Sequence, residues 1–208
     1  MRVFLLDLKI LSEITKKEEI TDTTFLVTDK EAEKIQQTLD NNGYFWIIDQ
    51  YTIGCSGKPP KEISKWNDEL KAWEDSPELK AEKHEKDLEK LWENIKVRRT
   101  LAAYTGVQVD NHWWHTDIES RLKYDDLSRL AVLNIFPDNE QWKTMDNTTV
   151  TLTLDLFKKL NGAIYEKTKQ DFANADRLYK MAKELEEPLL QDINNGWSIG
   201  YALNLNEQ

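Results

Sequence analysis

Two stretches in the second half of the chain follow one local plan, and that plan limits what it can fold into. Residues 107–119 read Val-Gln-Val-Asp-Asn-His-Trp-Trp-His-Thr-Asp-Ile-Glu, and residues 141–155 read Gln-Trp-Lys-Thr-Met-Asp-Asn-Thr-Thr-Val-Thr-Leu-Thr-Leu-Asp. Each is a β-rich run, an Asp-Asn turn, a second β-rich run and a Thr placed to start a helix. Asn tolerates the positive φ of a two-residue hairpin turn, and a Thr hydroxyl satisfies the free amides of a first helical turn. The pattern predicts two hairpins, each leading into a helix. In the first, Val107 and Val109 are expected opposite Trp113 and His115, with Thr116 and Glu119 forming a capping box before a helix whose face carries Ile118, Leu122, Leu130 and Leu133. In the second, Trp142 flanks Asp146-Asn147 with Val150–Leu152. Thr153 then caps a helix through Phe157, Leu160, Ile164, Phe172, Ala175, Leu178, Ala182 and Leu185. At 1.5 Å per residue it is roughly 50 Å long, too long for a four-stranded sheet to cover, so its far half needs another partner.

Upstream, residues 2–11 read as a strand and 24–28 as a second. Thr28-Asp-Lys-Glu31 is a capping box, and Ala32, Ile35 and Leu39 give the helix that follows its apolar stripe. Asn41-Asn42-Gly43 stops that helix, and Tyr44–Ile48 with Tyr51–Ile53 reads as a hairpin. Gly54, Gly57 and Pro59-Pro60 mark 54–61 as a boundary. The expected organisation is therefore α+β in three parts: a small strand-helix-hairpin domain (1–60), a helical connector (61–104), and a two-hairpin, two-helix domain with a tail strand (105–208). In the connector, Ile63, Trp66, Leu70 and Trp73 recur at spacings of three and four. That is the seam of a helix lying on a partner, either a second copy or a client. Ser76 and Pro77 start a second helix, which runs to Tyr104 with Gly106 as its stop. At the far end Trp197, Ile199, Tyr201, Leu203 and Leu205 alternate with small or polar residues, the pattern of a strand seeking an edge.

Composition narrows the function classes. The net charge of −10 is built from interleaved acids and bases, which argues against phosphate-backbone binding. No window approaches the length of a membrane span. The single cysteine, Cys55, excludes an internal disulfide and suits a reducing compartment. His112, His115 and Asp117 do not converge, because the two imidazoles fall on opposite faces of a strand. Asp125-Asp126 and Glu184-Glu186-Glu187 lie beside lysines as solvated surface, with no apolar setting to split their acidities. No catalytic, metal or cofactor residues are therefore expected. The candidates for partner binding are Ile63, Trp66, Leu70, Trp73, Trp113, Trp197, Ile199 and Tyr201; strand alternation puts one of Trp113 and its neighbour Trp114 in the core and the other outside.

One run of residues carries a resemblance. Arg98-Arg99, Tyr104, Gly106-Val107, Val109, Trp114-His115-Thr116-Asp117, Ser120-Arg121, Trp142-Lys143-Thr144-Met145-Asp146, Val150 and Leu152-Thr153 together resemble a domain of unknown function common in tail and tail-fibre assembly proteins of tailed bacteriophages. The likeness spans about 95–188 and departs at Asn111 and Asn147, where that family commonly has Gly after the turn Asp; Asn fills the same left-handed position. The resemblance puts Trp114 at the shared aromatic position, which implies that Trp113 is the exposed one of the pair. Residues 24–60 are similar in architecture to the N-terminal half of tail-fibre assembly chaperones. The resemblance implies a non-enzymatic phage protein that binds a fibre tip in the host cytoplasm, helps the fibre fold or trimerise, and in one version stays on the virion as a structural part. A carbohydrate-binding module using exposed aromatics is the reading from another class.

Overall fold

A computed structural model describes residues 1–14, 21–137 and 139–201. The fold is α+β, with small antiparallel ladders and long helices, and it divides into two compact units, Met1–Lys83 and His84–Gln208.

In the first unit β1 (Arg2–Leu5), β2 (Ile10–Glu13) and β3 (Thr24–Leu26) form an antiparallel sheet in the order β2-β1-β3. The single strand expected over 2–11 is thus a hairpin, because the chain turns at Leu6–Lys9, where Lys9 has a φ of 50°. Helix α1 (Asp29–Asp40) starts at the predicted Thr28–Glu31 capping box and packs Ala32, Ile35 and Thr38 inward. The hairpin of β4 (Phe45–Ile47) and β5 (Ile53–Cys55) closes the core, where Phe4, Ile35 and Cys55 meet Leu6, Leu39, Phe45 and Ile53. The 54–61 stretch, read above as a boundary, lies inside this unit.

The expected helical seam is another hairpin, β6 (Ser64–Asn67) with β7 (Ala72–Asp75). Trp66 pairs directly across from Trp73. A spacing of seven fits two turns of helix, and equally a cross-strand pair around a four-residue loop. Loop chemistry decides between them. The Asn67 side chain accepts from the amides of Glu69 and Leu70, and Lys71 takes a φ of 49°, which no helix interior allows. Helix α2 (Pro77–Ala103) begins as predicted, with Pro77 first and the Ser76 hydroxyl accepting from the Leu79 amide at 3.3 Å.

In the second unit β8 (Val107–Val109) and β9 (His112–Trp114) turn through Asp110 and Asn111, both at positive φ. A two-residue turn forces Val109 opposite His112 and Val107 opposite Trp114, one residue from the expected register. Trp114 therefore joins Val107 and Val109 on the inner face and is fully buried. The hairpin of β10 (Glu140–Lys143) and β11 (Thr149–Leu152) stays a separate ladder, tied to the first by Met145 N–H donating to the Trp113 carbonyl at 2.7 Å. Helix α3 (Ile118–Val132) is capped by Asp117, not Thr116. It buries Tyr124 and Leu127, whereas Ile118, Leu122 and Leu133, expected on its inner face, are exposed.

Helix α4 (Leu154–Lys183) starts at Thr153 as predicted and spans 30 residues, about 45 Å. Phe157 and Leu160 close the core under the hairpins with Trp114, Tyr124 and Leu152. Its far half, Ala175, Leu178 and Ala182, packs on Leu91 and Ile95 of α2. The two helices run antiparallel, since His84 meets the Leu185 carbonyl at one end and Thr105 meets Lys167 at the other. The second partner that the helix's length demanded is thus α2.

Trp114 is the largest side chain without solvent exposure, and its indole N–H donates to the Val109 carbonyl. Trp114→Ala is expected to cost about 3–5 kcal/mol in urea unfolding followed by circular dichroism.

Candidate partner-binding surfaces

On the first unit the predicted Trp66 and Trp73 come together, but not as a helix stripe. Trp46 lies over Gly54, where a Cβ would fall 2.1 Å from the ring; only glycine leaves that seat open. Trp66 contacts Trp46 at 5.3 Å, and Tyr44 stacks on Trp66 at 5.5 Å and 9°. Trp73 meets Trp66 edge-on, and its indole N–H donates to the Ser56 carbonyl. Four rings so join two hairpins that belong to separate ladders. The three tryptophans are half-buried, while Tyr44, Ile48 and Leu70 stand exposed. By strand alternation Tyr44, Trp46 and Ile48 share the outer face of β4, whereas Phe45 points inward onto Phe4. Ile63 contributes a carbonyl to the Ser76 amide and no seam. Tyr44 and Trp46 escaped the sequence reading. The period-2 pattern Tyr44-Trp46-Ile48 facing Gly54 was the signal for them.

On the second unit the segment 193–201 is not a strand. It is held by side chains of α4: Asp171 accepts from the amide and the hydroxyl of Ser198, at 2.8 and 2.9 Å. Lys167 donates to the Ser198 hydroxyl (2.5 Å), the Thr105 hydroxyl (3.2 Å) and the Ile199 carbonyl (3.2 Å). Carboxylate and ammonium take the polar groups that a ladder would have used, leaving among the described residues one backbone bond, Tyr201 N–H to the Thr105 carbonyl. Leu203 and Leu205, the rest of the expected tail strand, lie outside the described residues. Trp197 packs beside Leu91 and Leu178, its N–H on the Ile193 carbonyl; Ile199 is exposed; the Tyr201 ring covers Trp113 at 5.7 Å. Trp113 is accordingly half-buried rather than open. Trp142 stacks on the buried Tyr124.

The closeness of Lys167 to Ser198 suggests a Ser-Lys nucleophile pair, but the proton inventory opposes it. Three acceptors surround the Lys167 amine, matching the three donors of an ammonium, and the Ser198 proton already points to Asp171. Burial lowers the Lys167 pKa, opposed by Asp171 nearby. The arrangement is a lock on a chain segment.

That lock adjoins the carbonyl end of α2. Thr116, the residue expected to cap α3, is buried and instead donates to the Ala103 carbonyl (2.7 Å) and accepts from the Gly106 amide (2.9 Å). Arg121 donates to the Thr116 and Ala103 carbonyls. Thr116→Val leaves the buried Gly106 amide without its acceptor and the Ala103 carbonyl with Arg121 alone, and is expected to lower stability by about 1–3 kcal/mol in chemical unfolding, while Thr116→Ser stays close to wild type.

His112 and Asp146 meet at 3.3 Å between the two hairpin turns. Among the described residues no group of three or more His, Cys, Asp or Glu converges as a metal site. Asp146 also accepts from the hydroxyls of Thr144 and Thr148, and these bonds hold its pKa well below the usual carboxylate range. A carboxylate with a lowered folded pKa stabilises above its unfolded pKa near 4 and loses that contribution as pH falls through the folded value. Asp146→Asn is therefore expected to lower the melting temperature at pH 7 and to flatten its decline below about pH 4.

Between α2, α3 and α4 runs an open cleft of about 330 Å³, lined by Arg99, Tyr104, Ile118, Leu122, Asp125 and Phe172 among others. The Arg99 guanidinium lies over the Phe172 ring at 4.0 Å. No helix among the described residues is long and apolar enough to cross a membrane.

No curated protein and no solved structure matches the chain significantly. A family model described as Domain of unknown function (DUF4376) matches residues 86–194, which take in most of α2, both hairpins of the second unit, α3 and α4. That match covers just over half of the chain, and the protein belongs to this family.

Proposed function

We propose that the chain is a non-catalytic assembly chaperone for a bacteriophage tail fibre, acting in the host cytoplasm and using the aromatic face of its first unit to hold the client. Two things support the reading. One is the sequence resemblance set out above for residues 95–188. The other, which carries the mechanism, is the four-ring face with exposed Tyr44 and Ile48 beside it. Rigid aromatic rings offer large contact area for little lost rotamer freedom, which is why Trp and Tyr dominate interface hot spots. Acidic groups crown the same hairpin: Asp68 is paired with Lys71, and Glu74 accepts from Asn67. An apolar centre with a polar rim is the anatomy of a reversible protein contact.

The test is co-expression of the full chain with the tail-fibre protein that this reading makes its client. A higher yield of soluble fibre trimer and co-purification of the two are expected. Tyr44→Ala with Ile48→Asp, both on exposed positions, should abolish co-purification while the circular dichroism spectrum stays unchanged. A trimer yield indifferent to the chain would overturn the reading, and stoichiometric recovery from purified particles would shift it to a permanent part of the fibre tip.

A further inference from the structure

We propose that the cleft between α2, α3 and α4 is a self-association face that pairs two copies of this chain about a two-fold axis. Ile118 and Leu122 stand one turn apart on α3, and each is 60% exposed. Phe172 of α4 is 50% exposed across the same cleft. The sequence places all three on the faces its helices should bury; α3 buries Tyr124 and Leu127 instead, and α4 buries Phe157, Leu160, Ala175, Leu178 and Ala182 of its expected stripe but leaves Phe172 exposed. Apolar side chains in such a cluster mark an interface on a soluble protein.

Charge identifies the occupant as a second copy. Arg99 from α2 and Asp125 from α3 both line the cleft. The Arg99 guanidinium lies over the Phe172 ring, and among the described residues neither Arg99 nor Asp125 makes an ion pair or side-chain hydrogen bond. One unpaired charge of each sign on one apolar cleft is a self-complementary pattern. A two-fold axis sets Arg99 of each copy against Asp125 of the other, so two pairs form at once. A client of one charge sign would satisfy one of these groups and repel the other. The other charged groups at the cleft are already committed. Asp171 is held by Ser198, and Arg121 by the carbonyls of Thr116 and Ala103.

Sedimentation velocity on the intact chain tests this. Wild type is expected to sediment as a dimer, and Leu122→Glu as a monomer with an unchanged circular dichroism spectrum. Arg99→Asp places two carboxylates together at each contact, and Asp125→Arg two cations, so each alone should weaken dimerisation about tenfold or more. Mixed in equal amounts, the two variants restore opposite charges at both contacts and should re-form a dimer. A merely structural effect of either substitution cannot be rescued by mixing. A wild-type monomer at high protein concentration, or a mixture that stays monomeric, overturns the proposal. Because the client face lies on the other unit, a monomer that still co-purifies with the fibre would sink the dimer and leave the chaperone reading standing.

Discussion

The second unit depends on how the carbonyl end of α2 is satisfied. A helix of this length concentrates partial negative charge on its last carbonyls, which lack intrahelical donors. Here the Ala103 carbonyl takes the Thr116 hydroxyl and the Arg121 guanidinium, and the Ala102 carbonyl takes the Thr105 hydroxyl, behind which Lys167 stands. Two cations face a negative helix end in a part-buried site, where such attraction counts for more than at the surface. Arg121 reaches this end from α3 and Lys167, through Thr105, from α4, so one electrostatic requirement engages both helices. It also explains why Gly106 follows directly. With a φ of 82°, the chain reverses into β8 under the Met145 sulfur, where a Cβ would fall 2.3 Å away.

Local chemistry was legible wherever one side chain served one backbone group. The Thr28 and Thr153 caps, the Ser76-Pro77 start and the Asp110-Asn111 turn all form as their residue types require. Competition between partners was not legible. Thr116 is a sound cap by sequence, yet the carbonyl of Ala103 claims its hydroxyl, and Asp117 caps α3 in its place. Ile63, Trp66, Leu70 and Trp73 match a helix and a hairpin equally well, and the choice lies with Asn67 and Lys71, which carry no periodic signal. Ser198 and Ile199 alternate like a strand. Only Lys167 and Asp171, some thirty residues earlier, divert their hydrogen bonds.

The same contrast runs through the candidate surfaces. Trp66 and Trp73 were visible as interaction residues by type, but the geometry that makes them a face needed Trp46 on a bare glycine and Tyr44 stacked beyond. Trp113, read as open, is covered by Tyr201. Trp114 is buried and Trp142 stacks on Tyr124. The exposed apolar side chains of the second unit include Val97 and Leu101 of α2, Ile118 and Leu122 of α3, and Tyr165 and Phe172 of α4.

The Ser198 lock also imposes an order of events on the growing chain. Thr105 and Lys167 are synthesised well before Ser198 and Tyr201, the residues that meet them. Until residue 201 has emerged from the ribosome, Lys167 has Thr105 but lacks Ser198 and Ile199, and Asp171 lacks both Ser198 donors, so burying these two charges on α4 is costly before then. The first unit has no such debt to later sequence, since its core draws only on residues before 84. Its aromatic face can therefore form while the rest of the protein is still being made, which puts a binding surface in place early in synthesis.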